Sequence, residues 1–204
     1  MKRFLIIMLA GIFFCNIVMA KEINTKFGFS IDLPDNYFAV QNENMDDVMK
    51  RLETVQEGHS INKDLINNFL SEAKNQGVNI EYYLPVDHNP EFNNLNIVVQ
   101  EGKSMEDVKR TGLPVLCPYF TKLFTNMFGR EVKRHSCKFL KAFEPKYETV
   151  LRIKHDSALS GNMLVQYTFK TNAGLSVITI NCQKKNCNTI EKQTIGMMLS
   201  IKQL

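Results

Sequence analysis

Tryptophan is absent, proline occurs only six times in 204 residues, and no familiar catalytic signature runs along the chain. The four histidines, His59, His88, His135 and His155, form no His-Glu-x-x-His pair. No Gly-x-Ser-x-Gly turn presents a serine, and no Gly-x-x-x-x-Gly-Lys loop is there to cradle a phosphate. Asp87 and His88 are neighbours without further ligands at metal-site spacing, so they read as a polar loop. His135 and Cys137 share one face of a strand, which does not by itself make a nucleophile and its base. Cys182 and Cys187 are separated by four residues, not the two of a Cys-x-x-Cys redox motif. The expectation is no catalytic residue, no metal ligand and no cofactor. Basic clusters are short as well. Lys133-Arg134-His135 and Lys184-Lys185 are too small for a nucleic-acid footprint and read as solvated loops.

Long apolar runs are missing everywhere except at the start. Met1-Lys2-Arg3 is followed by Phe4–Phe14, broken only by Gly11, and then by Val18-Met19-Ala20. A short basic region, an apolar core and small residues at −3 and −1 make a secretory signal peptide over residues 1–20. A retained anchor is the rival reading, but Phe4–Met19 is 16 residues, short of the roughly 20 that cross a bilayer. A lipoprotein signal at Cys15 would want a small residue before it, where Phe13 and Phe14 stand. Cleavage leaves residues 21–204, long enough for one domain with a proper core, and no stable membrane span. It removes Lys2 and Arg3 and no acid, taking the net charge from +4 to +2. The expected location is periplasmic or secreted.

Four cysteines remain after that cut: Cys117, Cys137, Cys182 and Cys187. An even number behind an export signal suggests disulfides, in any of three pairings. Cys182 and Cys187 can close locally across Gln183–Asn186, which leaves Cys117 for Cys137.

What the chain does have is alternation. Met163, Val165, Tyr167 and Phe169 mark one apolar face of a strand, and Leu175–Cys182 is a second run rich in β-branched residues. Thr171-Asn172-Ala173-Gly174 joins them as a hairpin turn. Val177 and Ile178 put apolar groups on both faces, the mark of a strand inside a covered sheet. Phe27–Val40 reads as an opening hairpin about Pro34-Asp35-Asn36, and Val78–Leu84 with Asn96–Gln100 as another. Helices are expected from Asn44 to Gly58 and from Asn62 to Gly77, then a short one capped by Ser104. The next starts near Pro114 or Pro118, with Phe120, Leu123, Phe124, Met127 and Phe128 as its apolar face, and ends at Gly129. Strands follow at Ser136–Phe143 and at Tyr147–Ile153, the latter with Tyr147, Thr149, Leu151 and Ile153 facing one way. His155-Asp156 reads as a turn, and Asn188 with Glu191 three residues on signals the start of a last helix.

This order resembles the PsbP-like fold, shared with DcrB-like periplasmic proteins. Gly28-Phe-Ser-Ile-Asp-Leu-Pro34 looks like that family's opening strand and turn, and the late hairpin with a helix ending Leu199-Ser-Ile-Lys202 looks like its close. The family usually has a Trp just after the Pro turn, where Tyr37 stands here. The resemblance implies an α+β fold, an antiparallel sheet covered by helices in an α/β/α sandwich, and a binding or assembly role outside the cytoplasm. The functional expectation is an exported binding or accessory protein whose partner is another envelope protein. The alternative is a secreted hydrolase or metal-dependent enzyme. Its site would be assembled only in three dimensions, as a pocket gathering His and carboxylate side chains.

Overall fold

In the computed structural model, the described residues are 20–35, 37–40, 80–85, 94–141, 143, 146–157 and 161–204. The two helices expected between Asn44 and Gly77 lie outside them, as does most of the loop after Pro85.

The late hairpin forms as its alternation demands. Strands β8 (Asn162–Thr171) and β9 (Gly174–Gln183) pair antiparallel from Asn162↔Gln183 to Thr171↔Gly174. Gly174 closes the turn at φ +130°, where a Cβ would stand 2.7 Å from the Gln100 carbonyl oxygen. Only glycine fits there. The rest of a seven-stranded antiparallel sheet grows outward from this pair. It adds β3 (Tyr37–Val40), β4 (Ile80–Pro85), β5 (Asn94–Gln100), β6 (Arg134–Leu140) and β7 (Val150–Asp156) in the order β3-β4-β5-β9-β8-β7-β6. β9 is its central strand.

Register sorts the side chains into two cores. Tyr167 opposes Ile178, Val165 opposes Ile180, and Leu95 and Ile97 continue the row from β5. This face meets α3 (Cys187–Ser200) through Ile190, Met197 and Met198. On the other face Leu151, Ile153 and Leu175 pack under α1 (Met105–Thr111) and α2 (Leu113–Phe128). Helices therefore cover both faces of the antiparallel sheet, the α+β sandwich expected. No helix among the described residues is long and apolar enough to cross a membrane.

Three local expectations need correction. Phe27–Val40 is not a hairpin. β2 (Phe29–Pro34) lies between β1 (Ala20–Asn24) and β10 (Lys202–Gln203) in a separate three-stranded sheet, and β3 pairs with β4. Both faces of β2 are buried, through Phe29, Ser30, Ile31 and Leu33. Tyr147 and Thr149 precede β7, and Tyr147 joins the α3-side core while Leu151 and Ile153 face α2. Leu123 is 40% exposed, so the buried stripe of α2 runs through Cys117 and Phe124 instead.

Candidate functional site

A cleft of about 400 Å³ opens where the start of α1, the segment before β7, the β8–β9 turn and the small sheet meet. Phe29, Met105, Tyr147 and Ile201 supply its buried apolar lining. Charges stand at the rim. Lys109 Nζ lies 2.8 Å from Glu148 and 3.2 Å from Glu106, and these hydrogen bonds raise its pKa and lower that of Glu148. Lys146 Nζ donates to the Leu199 and Ile201 carbonyls, each at 2.5 Å, which satisfies carbonyls that the end of α3 leaves free. Burial lowers its pKa. Tyr147 donates to the Met198 carbonyl at 2.6 Å, and burial pushes its phenol up. Lys170 also lines the cleft, but it holds no ion pair among the described residues. The cleft thus offers an apolar floor and a cation, Lys170, whose charge acts on Glu148 without a direct ion pair among the described residues, suited to a ligand or chain segment bearing an apolar group and an acid.

Two buried carboxylates tie the layers together. Glu191 on α3 accepts from Arg152 Nη2 (2.5 Å), Tyr167 Oη (3.0 Å) and Lys154 Nζ (2.7 Å), while Arg152 Nη1 reaches Ser136 at 2.6 Å. Burial resists its ionisation most strongly, yet the Lys154 and Arg152 hydrogen bonds and charges together outweigh it and hold the pKa below the usual carboxylate value. Glu191 is therefore no cap. α3 begins after Asn186 without a side-chain cap, which puts Asn188 inside the helix and Glu191 beyond the position from which a capping acid reaches back. Glu81 accepts from the Lys26 backbone N–H at 2.7 Å and from Tyr83 Oη at 2.5 Å, pinning the small sheet to β4.

His155 also departs from expectation. It lies within β7, fully buried, with Phe124 edge-on at 5.1 Å between ring centroids. Its Nε2 is 3.0 Å from Thr121 Oγ1, and that hydroxyl donates to the Cys117 carbonyl at 2.8 Å. The hydroxyl hydrogen being committed, the imidazole must be the donor, through Nε2–H. Its basic nitrogen, Nδ1, is buried with no hydrogen-bond partner among the described residues. A catalytic base would show the reverse arrangement, with Nδ1–H held by an acid and the lone pair aimed at the hydroxyl. Asp156 pairs instead with His135 Nε2 at 2.8 Å, which lowers its pKa. The His–carboxylate pair is therefore His135 with Asp156 and does not include His155. His59 and His88 lie outside the described residues.

Burial, with the Arg134 and His135 charges, lowers the His155 pKa from 6.5 to about 4, Asp156 opposing. The unfolded chain therefore binds the extra proton first. The stability tied to neutral His155 is fully present above pH 6.5 and is lost as pH falls toward 4, on the order of 2 kcal/mol after allowing for solvent screening. In His155→Gln, the part of the pH dependence of the urea midpoint due to this group should disappear. An unchanged slope over that range rejects the assignment.

The cysteines fall in two pairs at disulfide distance, Cys117 with Cys137 and Cys182 with Cys187. The first links α2 to the edge strand β6, and the second links β9 to the first residue of α3.

No family model matches the chain, and no curated protein matches it in sequence. Among solved structures, cyanobacterial PsbP (CyanoP) from Synechocystis sp. PCC 6803 superposes with a TM-score of 0.56 at 11% identity, covering 96% of this chain and 99% of that one. A protein from Bacteroides thetaiotaomicron VPI-5482 reaches a TM-score of 0.42 at 10% identity, over 91% of this chain and 49% of that one, too low to carry an argument. At such identities the likeness to CyanoP concerns architecture, and the architecture is PsbP-like.

Proposed function

We propose that the chain is exported, loses residues 1–20, and works as a single domain, residues 21–204, as a binding or accessory protein of the cell envelope without catalysis of its own. The cleft beside the β8–β9 turn carries this reading, because its apolar floor and Lys170, which holds no ion pair among the described residues, suit capture of a segment from another envelope protein. The leader pattern, the two cysteine pairs acting as structural bridges, and the PsbP-like architecture support a place outside the cytoplasm.

A photoreactive residue at Asn172, on the cleft rim, tests it in intact cells of the native host. One discrete adduct with an envelope protein is expected, and Lys170→Glu should abolish it. Failure to form any discrete adduct there rejects the binding role. Mass spectrometry of the purified protein should show an N-terminus at Lys21 and no thiol open to alkylation. A retained leader, or four free thiols, rejects the proposed location.

A further inference from the structure

The outer face of α2 has no role in the cleft. Val115, Tyr119 and Leu123 follow one another at intervals of four residues along that helix, and are 60%, 59% and 40% exposed. Such spacing sets the three side chains in a single projecting ridge, about 12 Å long at 1.5 Å per residue. Beside it runs an open groove lined by Lys122, Lys133 and Arg134. None of these three holds an ion pair among the described residues. Two more cations adjoin. The Arg130 guanidinium rests on the Ser157 carbonyl, and the Lys184 charge reaches Asp156. Against these five cations the groove presents Glu131 and Asp156, and Asp156 is already engaged by His135.

We infer that this face of α2 docks on an anionic phospholipid surface. A projecting apolar ridge bordered by uncommitted cations matches a plane of acyl chains beneath anionic headgroups, and Tyr119 has the amphipathic ring that favours such an interface. An acidic protein partner would have to be concave to take the ridge, whereas a fluid bilayer conforms to it. The binding is peripheral and reversible, since three side chains on one helix bury little apolar surface and the charges are screened by salt.

The absence of tryptophan makes the test direct. Tyr119→Trp places a single indole on the ridge, and Leu204→Trp places one on the small-sheet side, where Leu204 is 70% exposed. The protein, as its host exports it, is mixed with vesicles of phosphatidylcholine containing about 30% phosphatidylglycerol, and with pure phosphatidylcholine vesicles. The expected result is cosedimentation with the anionic vesicles alone, reversed by high salt, with a blue shift in emission for Tyr119→Trp and none for Leu204→Trp. Reversing Lys122, Lys133 and Arg134 to Glu should weaken vesicle binding at least roughly tenfold. Val115→Ser with Leu123→Ser should weaken it while the urea midpoint holds steady. Four outcomes overturn the inference: no cosedimentation, cosedimentation with an unmoved Tyr119→Trp spectrum, indifference to the charge reversals, or binding of polyglutamate in place of vesicles. The last would assign the face to an acidic protein.

Discussion

Glu191→Leu is expected to lower the stability of the folded protein by about 3–5 kcal/mol, the cost of leaving buried cations without their counter-charge. The side chains of Glu191, Arg152 and Lys154 are only 10%, 15% and 17% exposed, so water cannot take over from the lost carboxylate. Tyr167 would lose its acceptor in the same step. The triple variant Arg152→Met, Lys154→Met, Glu191→Leu should recover most of the loss, because a well-packed apolar cluster carries no desolvation penalty. Urea unfolding monitored by circular dichroism separates the cases, with the midpoint moving and the slope unchanged. A single variant as stable as the parent would show that the three groups reach water in solution. The pH response follows from the lowered carboxylate pKa. Stability from this ion cluster is present above about pH 4.5 and is lost as pH falls through the lower native value. That window lies below most of the His155 range, so titrating both variants tells the two groups apart.

Legibility followed the range over which each element is decided. β8 and β9 were readable because their partners are adjacent in sequence and both faces are covered, so period, turn and burial agree. Ser104 and Gly129 were readable for the same reason, a cap being local chemistry. β2 misled because the strand pattern and the Pro34-Asp35 turn were both present, while its true partners stand at opposite ends of the chain. One is β1, at the boundary of the expected leader, and the other is β10, two residues long. No pattern of period two exists in two residues.

The candidate sites show the same division more sharply. Lys170 and Asn172 could be placed on the hairpin turn from sequence, but the cleft needs α1, Tyr147 and Ile201 brought together from far along the chain. Glu191 stood where a capping acid belongs, and only the register of β7 reveals Arg152 and Lys154 beneath it. His155 beside Asp156 looked like a turn. The alternation of Leu151 and Ile153 before it was the available signal, since the next residue in that row also faces α2. Leu123 is the opposite error in kind. Apolar residues at helical spacing imply burial only when an element is there to cover them, and Leu123 was assigned inward without one.

Reducing both cysteine pairs is expected to cost about 5 kcal/mol, comparable with the entire stability of a small domain. The chain-entropy estimate assigns about 3 kcal/mol to Cys117–Cys137, whose ends are 20 residues apart, and about 2 kcal/mol to Cys182–Cys187, separated by five. The first bridge matters most because of where it sits. Among the described residues β6 is an edge strand paired with β7 alone, and its Cys137 lies at disulfide distance from Cys117 of α2. Cys117, Cys182 and Cys187 are buried, so a reductant acts slowly on the folded protein and the comparison should begin from protein reduced in urea. Refolded with its thiols blocked by a small reagent, the reduced chain should melt about 10–20 °C lower. Blocking adds bulk to buried sites, so Cys117→Ser with Cys137→Ser gives the cleaner value for the longer loop, about 3 kcal/mol on the urea midpoint. Should that double variant unfold at the parent's midpoint, the bridge does not stabilise the domain, and α2 is held to β6 and β7 by the packing of Phe124, Leu116 and Phe120 together with the Thr121–His155 hydrogen bond.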